Sequence, residues 1–244
     1  VSAPDLPGFL KSLSETSVSA ARYGAAAPGA ADPSAFSLRF QPVWDVSNEA
    51  IAAYFAEAVD PASGERIPGY HFEPDAPPPS RLLEIDEITL RASETAMRTM
   101  FQSGRKAMLG VSLHVSSLMK LENRSRLLHV ISGLDKELCK YRTIRLSGVG
   151  PGFPRLYLRD TVGFLRARLP RVFISVNAME DDLSVGLESD AGALCLTWSP
   201  SARILDASGF SARVHRAATS IRSRSKRLIV EGCLTRAQAS QGMA

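Results

Sequence analysis

From Ser80 to Glu231 the apolar residues alternate between a helical period and strand-like runs, and this rhythm constrains the fold more than any other feature. Leu82, Ile85, Ile88, Ala92, Ala96 and Met100 share one helical face, with Ser80 placed to cap it and Gly104 to end it. Residues 107–113 then read as a strand. The pattern continues with a helix over 121–138, a strand over 143–146 and a helix over 156–168 halted by Pro170. A strand over 172–176, a short helix over 181–187 and a strand over 193–198 follow. A helix over 207–223 turns Phe210, Val214, Ala217 and Ile221 inward. A strand over 227–230 comes next, and Thr235 starts a last helix. Strands that each follow a helix demand a parallel sheet. Two architectures fit, an open doubly wound sheet and a closed (β/α)8 barrel. No G-x-G-x-x-G follows a strand and no Walker-type loop occurs, so the nucleotide-binding open sheet gains no support.

Upstream, residues 36–44 (FSLRFQPVW) alternate with a period of two, which sets Phe36, Leu38 and Phe40 on one face. Gln41-Pro42 interrupts regular pairing. A turn at 45–48 leads to a strand over 50–58, and so short a connection makes the pair antiparallel. That gives seven strands in all, one fewer than a closed barrel needs. The last strand therefore lies beyond this sequence, or another segment covers the gap. Residues 60–80, with the Pro77–Pro79 run, form a loop of the kind that lies over a mouth or an edge. Residues 1–34, rich in Ala, Ser, Gly and Pro, read as a linker with one docked helical turn around Phe9, Leu10 and Leu13. Residues 35–244 form the domain.

A hydrophobic share of 45% against 22% charged residues supports a substantial core in the 244-residue chain. The formal charge of +4 is mild, and its basic residues gather late, between Arg213 and Arg227. No run of about eighteen apolar residues occurs, so no membrane contact is expected from this segment. No signal peptide is visible, and the initial Val1 fits a piece of a longer protein. Cys139, Cys195 and Cys233 are far apart and odd in number, which points to a reducing cytoplasm and to buried thiols rather than to disulfides or zinc.

In a parallel barrel, functional groups collect where the strands end. Those ends carry Phe55, Ala56 and Glu57, then Ser112 and His114, Ser147, Ser175 and Asn177, Thr197 and Ser199, and finally Glu231. The rim is polar but almost uncharged. Glu57 and Glu231 are its two carboxylates, with the direction of Glu57 left open. Metal-assisted hydrolysis needs more than that. Glu180, Asp181 and Asp182 suit the first turn of a helix better than a metal. His114 reads as a hydrogen-bonded structural residue before it reads as a base. The serines sit in no nucleophile elbow. GVGPGFP, residues 148–154, is a rigid turn rather than a phosphate cradle. RSRSKR, residues 222–227, complements a helix C-terminus. It lacks the interleaved aromatics of a nucleic-acid surface, so no nucleic-acid partner is expected.

Five short segments, in order, resemble the EAL family, the bacterial phosphodiesterase domains acting on cyclic di-GMP. Phe40-Gln41-Pro42-Val43 resembles the family's opening strand. Residues 51–59 stand where the Glu-Ala-Leu strand lies. Leu83-Glu84-Ile85-Asp86 is similar to its Glu-Leu-Asp helix start, and Val111-Ser112-Leu113 to its Val-Asn-Leu strand. Val230-Glu231-Gly232, with Thr235, is similar to its Ala-Glu-Gly-Val-Glu-Thr segment. The resemblance implies a TIM-like α/β barrel with an antiparallel first strand. It also marks departures. Phe55 stands at the signature Glu, with Ala56 kept and Glu57 in the Leu position; sliding the strand by two puts Glu57 there instead. Ser112 replaces a metal-ligand Asn. Arg145 and Gly148 replace a Glu-x-x-Glu pair, and Ser175 to Ala178 replace Asp-Asp-Phe-Gly. Cys195 and Thr197 replace Lys-x-Asp, Leu234 replaces a Glu, and Val59 replaces a ligand Arg. Of the family's metal and catalytic set, Glu231 survives. The resemblance therefore implies an inactive domain with no metal and no cofactor, acting through a protein partner in cyclic di-GMP-related signalling. A metal-independent cyclic di-GMP receptor and a weak phosphodiesterase are the alternatives. Gln41, Pro42, Ser112, Arg145 and Glu231 are the ligand-binding candidates, and a homodimer is compatible with the resemblance.

Overall fold

The computed structural model describes residues 37–45, 50–59, 79–150, 152–178, 183–197, 207–222, 224 and 226–231. Its first two strands, β1 (Ser37–Asp45) and β2 (Ala50–Val59), pair antiparallel, with Leu38 opposite Ala58 and Gln41 opposite Phe55. A register shift between Val43 and Trp44 follows the proline, which has no N–H to give the ladder. From β2 onward every neighbour is parallel: β3 (Met108–His114), β4 (Arg142–Ser147), β5 (Arg171–Asn177), β6 (Ala193–Thr197) and β7 (Arg227–Glu231). The strands lie in chain order across one seven-stranded sheet. The sheet curls into a partial (β/α) barrel with an antiparallel first pair. Among the described residues there is no eighth strand and no pairing of β7 with β1.

Each strand alternates between two layers. Val111, Leu113, Ile144, Leu146, Ile174, Leu194 and Leu196 point outward and are almost fully buried against the helices. Each such aliphatic side chain contributes about 1.5–3 kcal/mol through the hydrophobic effect. Helix α1 (Pro79–Gln102) covers β2 and β3 with the expected stripe, and it also buries Asp86, Leu90, Ser93 and Met97. Gly104, at φ +76°, ends it in a Schellman turn: Gly104 N–H donates to the Phe101 carbonyl and Arg105 N–H to that of Met100. Helix α5 (Arg155–Arg166) packs on β5, and α7 (Ala207–Arg222) buries Phe210, Val214, Ala217 and Ile221 as its spacing predicts.

The helix expected over 121–138 is two helices, α3 (Leu121–Ser132) and α4 (Lys136–Cys139). Gly133 ends the first, and the Asp135 carboxylate caps the second by accepting from Glu137 N–H at 2.8 Å. A further short helix, α2 (Val115–Met119), was not expected, and α6 (Ser184–Glu188) occupies the later half of its predicted span. Residues 1–36, 60–78, 181–182 and 232–244 lie outside the described residues. They hold the expected linker, the loop as far as Pro78, the start of the 181–187 helix and the helix at Thr235, whereas Pro79 and Ser80, expected to close that loop, lie in α1. Among the described residues no helix is long and apolar enough to cross a membrane.

Candidate functional site

The inner layer of the barrel starts from the same period of two that fills the outer one. On β4, Ile144 and Leu146 face the helices, so Arg145 must face the interior, where it is 3% exposed. Its guanidinium collects partners from three other strands. Nε and Nη2 donate to Ser112 Oγ on β3 at 2.9 and 2.6 Å. Nη2 reaches Glu57 Oε1 on β2 at 3.4 Å, and Nη1 donates to Glu231 Oε1 on β7. Because β2 and β7 lie on either side of β4 in the sheet, one side chain meets both only where the sheet is curled. The guanidinium also lies over the Phe55 ring, 4.7 Å from its centroid. That ring occupies the space a side chain on Gly110 would need. Phe55 and Gly110 are register partners, and a Cβ at Gly110 would collide with the ring.

A hydroxyl chain extends the centre. Thr197 Oγ1 donates to Glu231 Oε2 at 3.2 Å, which leaves Ser175 to donate to Thr197 at 2.5 Å. Arg39, in register with Glu57, brings a second cation to Glu57 Oε2 at 3.8 Å. Burial would lower the pKa of Arg145, but the charges of Glu231 and Glu57 outweigh it and raise the pKa. Cys195, fully buried in the same layer, has its thiol pushed well up by burial and next by Glu231, so it is not a nucleophile.

Three of the five sequence-derived candidates, Ser112, Arg145 and Glu231, therefore meet at one point. Gln41 lies half-buried on β1 opposite Phe55, on the face that looks inward. Pro42, in register with Tyr54, is exposed and belongs to the other face. Glu57, whose direction the sequence left open, faces the interior. Phe55, Thr197 and Ser175 are further members of the centre. The signal for them was parity, since each is an even number of residues from an inward-facing partner on its own strand or lies in register with one.

His114, also at a strand end, is structural. Its Nδ1 accepts from Ser116 N–H at 3.2 Å and caps α2, and its own N–H donates to buried Asp86 at 3.1 Å. Burial holds the imidazole down to about 4, so it is neutral near pH 7. The ring fills the space over Gly148, which at φ +76° opens the glycine-rich turn, while the space beside Gly150 and Gly152 is open. In the RSRSKR run, Lys226 is half-buried. Its ammonium donates to the carbonyls of Ser189 and Gly186, while Arg224 and Arg227 are exposed.

No protein-family model matches the chain, and no curated protein matches it. Solved structures do match. The Bacillus subtilis YkuI protein, with an EAL domain, in complex with substrate c-di-GMP and calcium, aligns at 13% identity and a TM-score of 0.59 over 84% of this chain. The chain spans 50% of that protein's length. The PaMucR phosphodiesterase in its c-di-GMP complex aligns at 17% identity and a TM-score of 0.59, covering 85% of both chains. The Xanthomonas citri FimX EAL domain in complex with c-diGMP aligns at 16% identity and a TM-score of 0.55, covering 86% of this chain and 82% of that one. At such identities the likeness is one of fold, and the fold of this chain is that of the EAL domains.

Proposed function

We propose that residues 35–244 form a catalytically silent EAL-type domain of cyclic di-GMP-related signalling, joined to its neighbours by the 1–34 linker and acting through contacts with a protein partner. The observation that carries this reading is the Arg145 guanidinium held between Glu57 and Glu231. Hard divalent cations need several oxygen ligands, mostly carboxylates and carbonyls, and a guanidinium that occupies those carboxylates competes with and repels such an ion. Here the two carboxylates of the centre share the Arg145 cation, a charge that cannot be lost because a guanidinium does not deprotonate in proteins, and Arg39 brings a second cation to Glu57. Ser112, a neutral hydroxyl, is committed to the same guanidinium. The residues present do not fit a pair of catalytic divalent cations. Arg145 itself is buried, and each of its three nitrogens already donates to Ser112, Glu57 or Glu231, which sets it against contact with a phosphate as well. The cytoplasm is the setting that goes with this reading, and the free thiols Cys139 and Cys195 agree with it.

Calorimetry with cyclic di-GMP, with and without Mg²⁺, combined with chromatography of the products, tests the proposal. The expected result is no linear dinucleotide and no metal-dependent heat. Turnover that disappears in Glu231→Ala would overturn it in favour of a phosphodiesterase. Binding that needs no metal would replace it with a receptor.

A further inference from the structure

We propose that one corner of the barrel rim is a docking surface and that its occupant is the chain's own N-terminal stretch from Leu6 to Leu13. Among the described residues four large apolar side chains are exposed: Ile51, Met119, Leu121 and Leu156. Ile51 belongs to the start of β2, at the far end of the barrel. The other three, at 53%, 78% and 62% exposure, follow the ends of β3 and β4 on a single rim. Three contacts fix that corner. Tyr157 Oη on α5 donates to the carbonyl of Leu118, the residue before Met119. Arg124 Nε on α3 donates to the same carbonyl at 3.3 Å. The Arg124 guanidinium also lies over the Tyr157 ring, 5.0 Å from its centroid. Helix α2, helix α3 and the first turn of α5 are thus tied together around buried Leu118, and they hold Met119, Leu121 and Leu156 out from the barrel. Apolar side chains gathered in this way mark a surface that gains from being covered.

The chain enters the fold at this same rim. Ser37, the first residue of β1, is in register with Val59, the last residue of β2, and β2, β3 and β4 run parallel. Ser37 therefore lies at the strand ends from which α2 and α5 depart. Upstream of it, Leu6, Phe9, Leu10 and Leu13 stand at i, i+3, i+4 and i+7, the spacing of one apolar helical face. Of the stretches outside the described residues, 1–36 alone carries four large apolar side chains at that spacing. Ser37 follows Leu13 by 24 positions. A tether of that length spans at most about 80 Å. The path to the corner is three strand spacings, roughly 15 Å, and one packed layer, about 10 Å. The tether therefore reaches. It also presents the stretch at an effective concentration on the order of millimolar, so a contact too weak for separate molecules is populated within one chain.

The test uses the full chain with the photo-crosslinker p-benzoylphenylalanine in place of Leu121, and in a second sample in place of Leu156. After irradiation, digestion and mass spectrometry identify the attached peptide. An equal mixture of unlabelled and isotope-labelled chain separates links within one chain from links between two. The expected product joins the crosslinker to residues 6–13 of the same chain. Leu10→Glu/Leu13→Glu, outside the barrel, should cut its yield by about tenfold or more. Links to residues 60–78, 198–206 or 232–244 would overturn the proposal, as would links between two copies. The absence of a link at both positions, or a yield unchanged in the double variant, would overturn it too. The proposal does not depend on the silent-domain reading, which the cyclic di-GMP turnover assay decides separately.

Discussion

Strand β4 carries two buried arginines, Arg142 and Arg145, at 1% and 3% exposure, and they have opposite fates. Arg145 points into the barrel and meets two carboxylates, a hydroxyl and an aromatic face. Arg142 points outward under α1. Its Nη1 reaches the Leu90 carbonyl at 3.5 Å, and its Nε and Nη2 have no hydrogen-bond partner among the described residues. The ionisation of the two groups follows: counter-charge raises the pKa of Arg145, while burial lowers that of Arg142 despite nearby Glu94. Burial alone therefore says little about what an arginine contributes. What matters is whether the charge is answered.

Breaking the answered side should have the largest effect. Arg145→Met leaves the largely buried Glu231 without its cation and Glu57 with Arg39 alone, and urea denaturation should show a loss of about 3–5 kcal/mol. Adding Glu57→Gln and Glu231→Gln to that variant should recover most of the loss, because the uncompensated charges go with the guanidinium. A neutral result for Arg145→Met would mean that the centre does not depend on the ion pairs.

His114 sharpens the comparison with a buried group that avoids charge altogether. Its folded pKa, about 4, lies below the ordinary value of 6.5. The unfolded chain therefore binds the proton first as pH falls. The stability due to the neutral ring is complete above about 6.5 and declines by about 3 kcal/mol as pH falls to about 4. Thermal melts across that window should show the decline, and His114→Gln should flatten it.

The smallest effect is expected on the unanswered side. Arg142→Met replaces a poorly paired buried charge by an apolar chain of similar length. It should be neutral or stabilising by about 1–3 kcal/mol in the same denaturation assay.

The strands and the long helices were legible because periodicity is a local property. Leu82 to Met100 and Phe210 to Ile221 announce their buried faces with no knowledge of what covers them. The break between α3 and α4 was also legible, in Gly133 followed by the capping Asp135, but the apolar spacing of 121–138 ran across it. The short α2 had no such signal, because its cap is a histidine ring. At the centre, the strand ends singled out Ser112 and Glu231, and the family resemblance added Arg145. That Arg145 would sit between Glu57 and Glu231, rather than face a ligand, depends on the curl of the whole sheet. Curl is set by strand twist and helix packing summed over many residues, and no short window of sequence carries it.

The order of the strands has a consequence for how the chain folds. Every strand pairs with its neighbour in sequence, so the sheet can grow by short loop closures, one strand at a time. The Arg145 centre is different, because it joins residues 88 positions apart to Glu57 and 86 apart to Glu231. Contacts of such separation close late. The guanidinium would then act as a latch on a finished barrel: Arg145→Met would leave the refolding rate almost unchanged and put its cost into faster unfolding. Removing Arg145 would therefore shorten the lifetime of the folded chain more than it slows its formation.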